Sequence, residues 1–122
     1  KMFHRDLGLM DMDLYDYESL FGTKFLMDKA TRLEYGDSMM THAMLFTGVD
    51  LANGKSRKWR VENSWGQKGG SKGYYLMTDK WFEEYNYEIV VDKKYLPKRI
   101  LDLFNRKPVA LDPWDPMGAL AY

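Results

Sequence analysis

Cysteine is missing from the chain altogether. Its absence rules out disulfides and thiolate metal sites within these residues, removes the strongest nucleophile a protein can offer, and fits a cytoplasmic origin. Histidine is scarce, with only His4 and His42. With no H-E-x-x-H spacing between them, no metal or other cofactor is expected, and His4 reads as a surface or partner-contact residue. An excess of charge is lacking as well: 18 basic residues balance 18 acidic ones. That balance leaves no electrostatic footprint for nucleic acid or an anionic membrane. No apolar run approaches the roughly 20 residues of a membrane-spanning helix, and no signal-peptide pattern opens the chain. G-x-S-x-G is absent, which disfavours a serine hydrolase. The glycine-rich stretch GQKGGSKG lacks the G-K-[ST] ending of a phosphate loop and reads as a flexible connection. The small basic cluster Lys93, Lys94, Lys98 and Arg99 reads as a solvated face.

What is present is aromatic and apolar material enough for a core, in 122 residues that suit one domain or a large part of one. The opening at Lys1, with buried-type and charged residues already mixed, reads as a piece of a longer protein or a processed product. Leu14, Tyr17, Leu20 and Phe21 fall near helical spacing, with Gly22 as a stop, and 28–36 forms a short helix capped by Asp28 and ended by Gly36. Strand patterns follow. THAMLFTGV, 41–49, is an apolar run of strand length. Asn53-Gly54 is the strongest hairpin signal in the chain, and RKWRVENSW, 57–65, alternates cleanly. YYLMTDKWF continues the pattern, and EYNYEIVV predicts a further strand with Tyr85, Tyr87, Ile89 and Val91 on one face. PKRILDLF predicts a helix with Pro97 in its first turn. The proline-rich end is extended.

One position breaks the alternation. Trp59, Val61, Asn63 and Trp65 share a face, while Lys58, Arg60, Glu62 and Ser64 share the other. Asn63 therefore points to the apolar side, where an unpaired amide is costly. A two-residue turn at Asn53-Gly54 pairs Ala52 with Lys55. In that register Asn63 lies opposite Met44 and diagonal to His42, at about 7–8 Å between Cβ atoms or somewhat less, within reach of the longer side chains. A bulge or a longer loop changes the register, and a one-residue slip separates the pair. An amide oxygen that accepts from one ring N–H fixes the imidazole and leaves the other nitrogen to exchange a proton with a nucleophile. A thiolate, already acidic, suits such an uncharged orienter. On spacing alone, such a pair is more often a satisfied polar contact than catalytic machinery.

THAM at 41–44 with KWRVENSWG at 58–66 resembles the His and Asn regions of papain-like cysteine peptidases. MTHAMLFTGVD, KWRVENSWG, KGYYLMTDKWFEEY and the terminal WDPMGALA resemble the bleomycin hydrolase and aminopeptidase C branch, and LYDYESLFG and KATRLEYGDS resemble its preceding helical region. The resemblance covers almost the whole chain. It implies an α+β fold: a papain-like right-hand lobe with an antiparallel sheet or barrel over 41–107, a helical lead-in over 1–40, and an extended C-terminal arm over 108–122. It implies a cysteine-type aminopeptidase as parent, acting on peptides. His42 would be the base, Asn63 its orienter and Trp65 the indole that shields their bond. The arm, from about Asp115, would lie in the cleft and hold the substrate amino group through the carboxylate end, Ala121 and Tyr122. Trp114, Met117 and Leu120 are poor choices for a solvated tail. The family's cysteine and oxyanion glutamine belong to an upstream lobe that this chain does not contain, so the chain alone is expected to be inactive. Family members form hexameric rings. A non-catalytic structural or interaction domain derived from such a peptidase is the competing reading.

Overall fold

The computed structural model describes residues 2–117. One five-stranded sheet organises them, in the order β1-β2-β5-β4-β3. Its strands are β1 (Phe3–His4), β2 (Leu9–Met10), β3 (Leu45–Ala52), β4 (Lys55–Glu62) and β5 (Tyr74–Thr78). Neighbours are antiparallel except β2 and β5, which run parallel. The helices are α1 (Tyr17–Phe21), α2 (Lys29–Glu34), α3 (Asp79–Tyr85) and α4 (Lys98–Leu101).

Local chemistry sets most of these limits. The carboxylates of Asp16 and Asp28 accept from Ser19 N and Thr31 N, capping α1 and α2. Gly22 closes α1 in the left-handed region, where a side chain would be strained. Asn53 and Gly54 both have positive φ, 52° and 75°, as the tight turn between β3 and β4 requires. Thr78 ends β5 and caps α3 through its hydroxyl.

Four sequence expectations are corrected. The first ten residues are not part of a purely helical lead-in, because Phe3–His4 and Leu9–Met10 are strands that extend the sheet beyond β5. Two-residue strands leave no periodicity to read. The run YYLMTDKWF divides at Thr78 into strand and helix. EYNYEIVV is not a strand: Tyr85 ends α3, 86–92 has no regular structure, and Ile89, Val90 and Val91 are exposed. Alternation alone did not provide a partner strand for it. The glycine-rich loop is more than a connection, since Gly73 O accepts from Asn63 N at 3.0 Å and Gly70 N donates to Arg5 O at 3.1 Å.

The core is small. Met10, Val61, Tyr75 and Met77 are buried, with Phe3, Met44, Phe46, Trp59, Trp81 and Phe82 packed around them. Trp59 stacks on Phe82 of α3 at 5.0 Å between ring centroids, and its indole N–H donates to Asp79 Oδ1 at 2.9 Å. Hydrogen bonds from Ser56 and Trp59 hold the Asp79 carboxyl below its ordinary range.

The β3–β4 ladder determines the site. Pairing starts from the turn at Ala52↔Lys55 and Leu51↔Ser56, then steps to Asp50↔Lys58, leaving Arg57 unopposed. It runs through Gly48↔Arg60 and steps back to Phe46↔Val61, leaving Thr47 unopposed. The two bulges sit on opposite strands and cancel, so the ladder ends at Leu45↔Glu62 in the frame that an unbroken two-residue hairpin would give. Continued one step, that frame puts Asn63 level with Met44.

Candidate active site

His42 does not lie on a strand. Residues 39–44 have no regular structure, and β3 begins only at Leu45. Asn63 follows directly on β4, and its side chain takes the inward direction that Val61 takes two residues earlier. The restored register brings the two together: His42 Nε2 lies 2.8 Å from Asn63 Oδ1. An amide oxygen only accepts, so Nε2 carries the proton and the neutral ring keeps its lone pair on Nδ1. Asn63 is 7% exposed, the one buried polar residue in the core region of the described chain. Its side-chain oxygen is therefore paired with His42 and its backbone N–H with Gly73.

Trp65 stacks against the imidazole, with centroids 4.8 Å apart and planes 33° from parallel. The indole is not a buried lid: it remains 45% exposed. Its place is set by two residues from the first strand region, which no sequence pattern associates with it. The Phe3 ring meets it edge-on at 6.5 Å, and the Arg5 guanidinium lies over it at 5.2 Å. Phe3 also touches Tyr75 at 5.7 Å, so the contact runs from the core through Phe3 and Trp65 to His42.

His42, Asn63, Trp65 and Phe3 border an open cleft of about 750 Å³. Its walls include Met10, Met44, Trp81 and Tyr87, with Asp37 and Glu88 the acidic side chains among its lining. Burial raises the pKa of Tyr85, another wall residue, above that of a free phenol. Ser64, next to Asn63 in sequence, is exposed on the opposite face of the strand. Among the described residues no three His, Asp or Glu side chains converge on a point where a metal could sit. The site thus holds a base and its orienter, and the chain supplies no thiol. At the other end, Trp114 is 80% exposed and Met117 45%. Ala121 and Tyr122, the expected anchor for a substrate amino group, lie outside the described residues.

The model of the Peptidase C1-like family matches residues 1–118. Aminopeptidase C of Listeria monocytogenes is 49% identical over 121 residues, covering 99% of this chain and 27% of that protein. Human bleomycin hydrolase is 54% identical over 125 aligned positions, covering 99% of this chain and 28% of that protein. The crystal structure of PepW from Lactobacillus rhamnosis HN001 superposes with a TM-score of 0.91 at 53% identity, over 99% of this chain and 28% of that one. The papain-like α+β fold therefore stands on sequence and on structure, and the chain spans little more than a quarter of the length of these relatives.

Proposed function

The chain belongs to the Peptidase C1-like family, and from that membership we propose that it forms the His/Asn part of a cysteine aminopeptidase whose nucleophilic thiol lies outside these residues. One observation carries the reading: a buried carboxamide holds the imidazole through Nε2 at 2.8 Å and leaves Nδ1 free to act.

His42 takes the thiol proton at Nδ1 and becomes an imidazolium. The thiolate attacks the first peptide carbonyl of the substrate and forms a carbon–sulfur bond. His42 returns the proton to the departing amine as the carbon–nitrogen bond breaks. A water, deprotonated by the same nitrogen, then cleaves the thioester and regenerates the thiol. Asn63 keeps Nε2 engaged throughout, so the ring does not rotate away from the sulfur. Trp65 covers one side of the ring and limits competition from water for that hydrogen bond. The restriction to N-terminal residues would come from the arm, with Ala121 and Tyr122 holding the substrate α-ammonium. Assembly of the parent into a hexameric ring belongs to the same proposal.

The test joins this chain to the Cys-bearing upstream part of an aminopeptidase C relative and measures release of a fluorogenic amine from aminoacyl amides. The chimera should turn over. His42→Ala should lower kcat by about 10²–10⁴-fold, the usual range for losing a general base, and Asn63→Ala by less. The 122-residue chain by itself should release nothing. Activity in the separate chain that survives His42→Ala would falsify the assignment.

A further inference from the structure

His42 is delivered by a stretch of chain with few restraints of its own. Residues 39–44 form no strand or helix, and the hydrogen bond to Asn63 ties only the tip of the side chain. The distal end of the stretch is fixed at Leu45, where β3 begins. The proximal end leaves α2, a six-residue helix with no buried residue. A helix so short is not stable alone, and this one has no buried apolar face to hold it down. Something else must place it.

The cationic side chains of α2 do so. Lys29 Nζ donates to Glu83 O at 2.8 Å and to Asn86 O at 2.6 Å, satisfying carbonyls at the C-terminal end of α3. Arg32 makes an ion pair with Glu84, donates to Glu84 O at 3.3 Å, and lies over the Tyr85 ring at 5.2 Å. Its other terminal nitrogen donates to Met27 O at 2.8 Å, closing the start of its own helix. The Arg32 side chain is 12% exposed. One further link lies closer to the histidine. Ser38 N donates to Arg32 O at 3.1 Å, and the Ser38 hydroxyl bonds the Tyr87 hydroxyl just past α3. The helix α3 is itself fixed to the sheet by the Trp59–Phe82 stack.

We propose that Arg32, with Lys29, is a positioning residue for His42: the two cations clasp α2 to the end of α3 and so aim the 36–42 segment at Asn63. This rests on the reading of His42 as the base but assigns a role to residues that touch neither substrate nor the reacting atoms. A guanidinium suits the task because its planar fork engages the carboxylate, a carbonyl and a ring face together, which an ammonium at the same place cannot do.

The test uses the stacking of His42 on Trp65, since an indole face shifts the carbon-bound protons of an imidazole 4.8 Å away to high field. These signals are followed by NMR in the 122-residue chain carrying Leu26→Lys and Val90→Lys to suppress self-association through exposed apolar groups, with Trp65→Leu as the zero of the ring-current shift. Arg32→Met should remove at least half of that shift while the amide signals of Val61 and Tyr75, in the sheet, stay in place. Arg32→Lys should restore only part of it. Should Arg32→Met fail to fold, Lys29→Met and Glu84→Ala carry the same criterion, because each breaks the clasp from a more exposed or opposite side. Full retention of the His42 shift in a folded clasp variant overturns the proposal. An unsubstituted chain that shows no Trp65-dependent shift instead refutes the His42–Asn63–Trp65 arrangement on which the catalytic reading stands, and the two failures are distinct.

Discussion

Tyr75 shows how tightly single residues are set in this lobe. Its side chain is fully buried, and its hydroxyl has no hydrogen-bond partner among the described residues. Above it lies Gly69, where an added Cβ would collide with that hydroxyl. The glycine is thus required by the ring beneath it. Tyr75→Phe is expected to be neutral or stabilising by about 1 kcal/mol, because an unsatisfied buried hydroxyl is a cost that the phenyl ring lacks. Gly69→Ala should destabilise by about 1–3 kcal/mol, as overpacking does, and by less in the Tyr75→Phe background. A double-mutant cycle read by urea unfolding measures the difference, and additive losses would argue against the clash. Asn63→Ala should cost about 1 kcal/mol for the lost hydrogen bond. At this scale the sequence was informative. Asn63 announced itself by breaking the apolar face, and His42 is one of only two histidines. Arg32 and Glu84 gave no such sign: they are 52 residues apart, and each alone looks like a solvated charge.

At the scale of elements, capping and turn chemistry were legible because they act over two to four residues. Gly54 adopts φ of 75°, and a Cβ there would meet nothing within 4 Å. Gly54→Ala should therefore cost about 1–2 kcal/mol from backbone strain alone. Hydrogen exchange should show faster opening near Ala52 and Lys55, with the Leu45↔Glu62 end unchanged. The cap of α2 sets a pH dependence. Hydrogen bonds from the Thr31 backbone and hydroxyl hold the Asp28 carboxyl below its ordinary pKa. A carboxyl depressed on folding contributes its stability fully above the unfolded-state pKa of about 3.9, and loses it as pH falls through the folded value. Protection of the Arg32 and Tyr35 amides should accordingly be flat above about pH 5 and decline below about pH 4. Asp28→Asn, which keeps a capping oxygen without a titrating charge, should flatten that decline. What the sequence did not disclose at this scale was β1, β2 and the pair of bulges, all of which depend on which backbone lies alongside.

Across the whole molecule, the apolar groups left in solvent are conspicuous. Leu26 is 82% exposed, Val90 93% and Trp114 80%, with Leu20, Phe21 and Phe25 above 60%. So many large apolar side chains left bare favour surfaces that are covered in use or that associate when bare. The chain as it stands should self-associate in the micromolar range or above, visible as a concentration-dependent mass by light scattering. Leu26→Lys with Val90→Lys should lower that mass without lowering the unfolding midpoint appreciably, since exposed substitutions move stability by about 0.5 kcal/mol or less. A monomeric mass at every concentration for the unsubstituted chain would count against an uncovered interface.

The sequence by itself determined the hairpin, the helix caps, the face on which Asn63 lies and the resemblance to papain-like peptidases, because each is written in residues adjacent along the chain or in a fixed period. Only the tertiary structure decided that the imidazole and the carboxamide meet. Their encounter depends on two bulges of opposite effect, at Arg57 and Thr47, whose sum is zero. A single bulge would have turned one of the two side chains to the other surface of the sheet, and no local rule counts bulges across both strands.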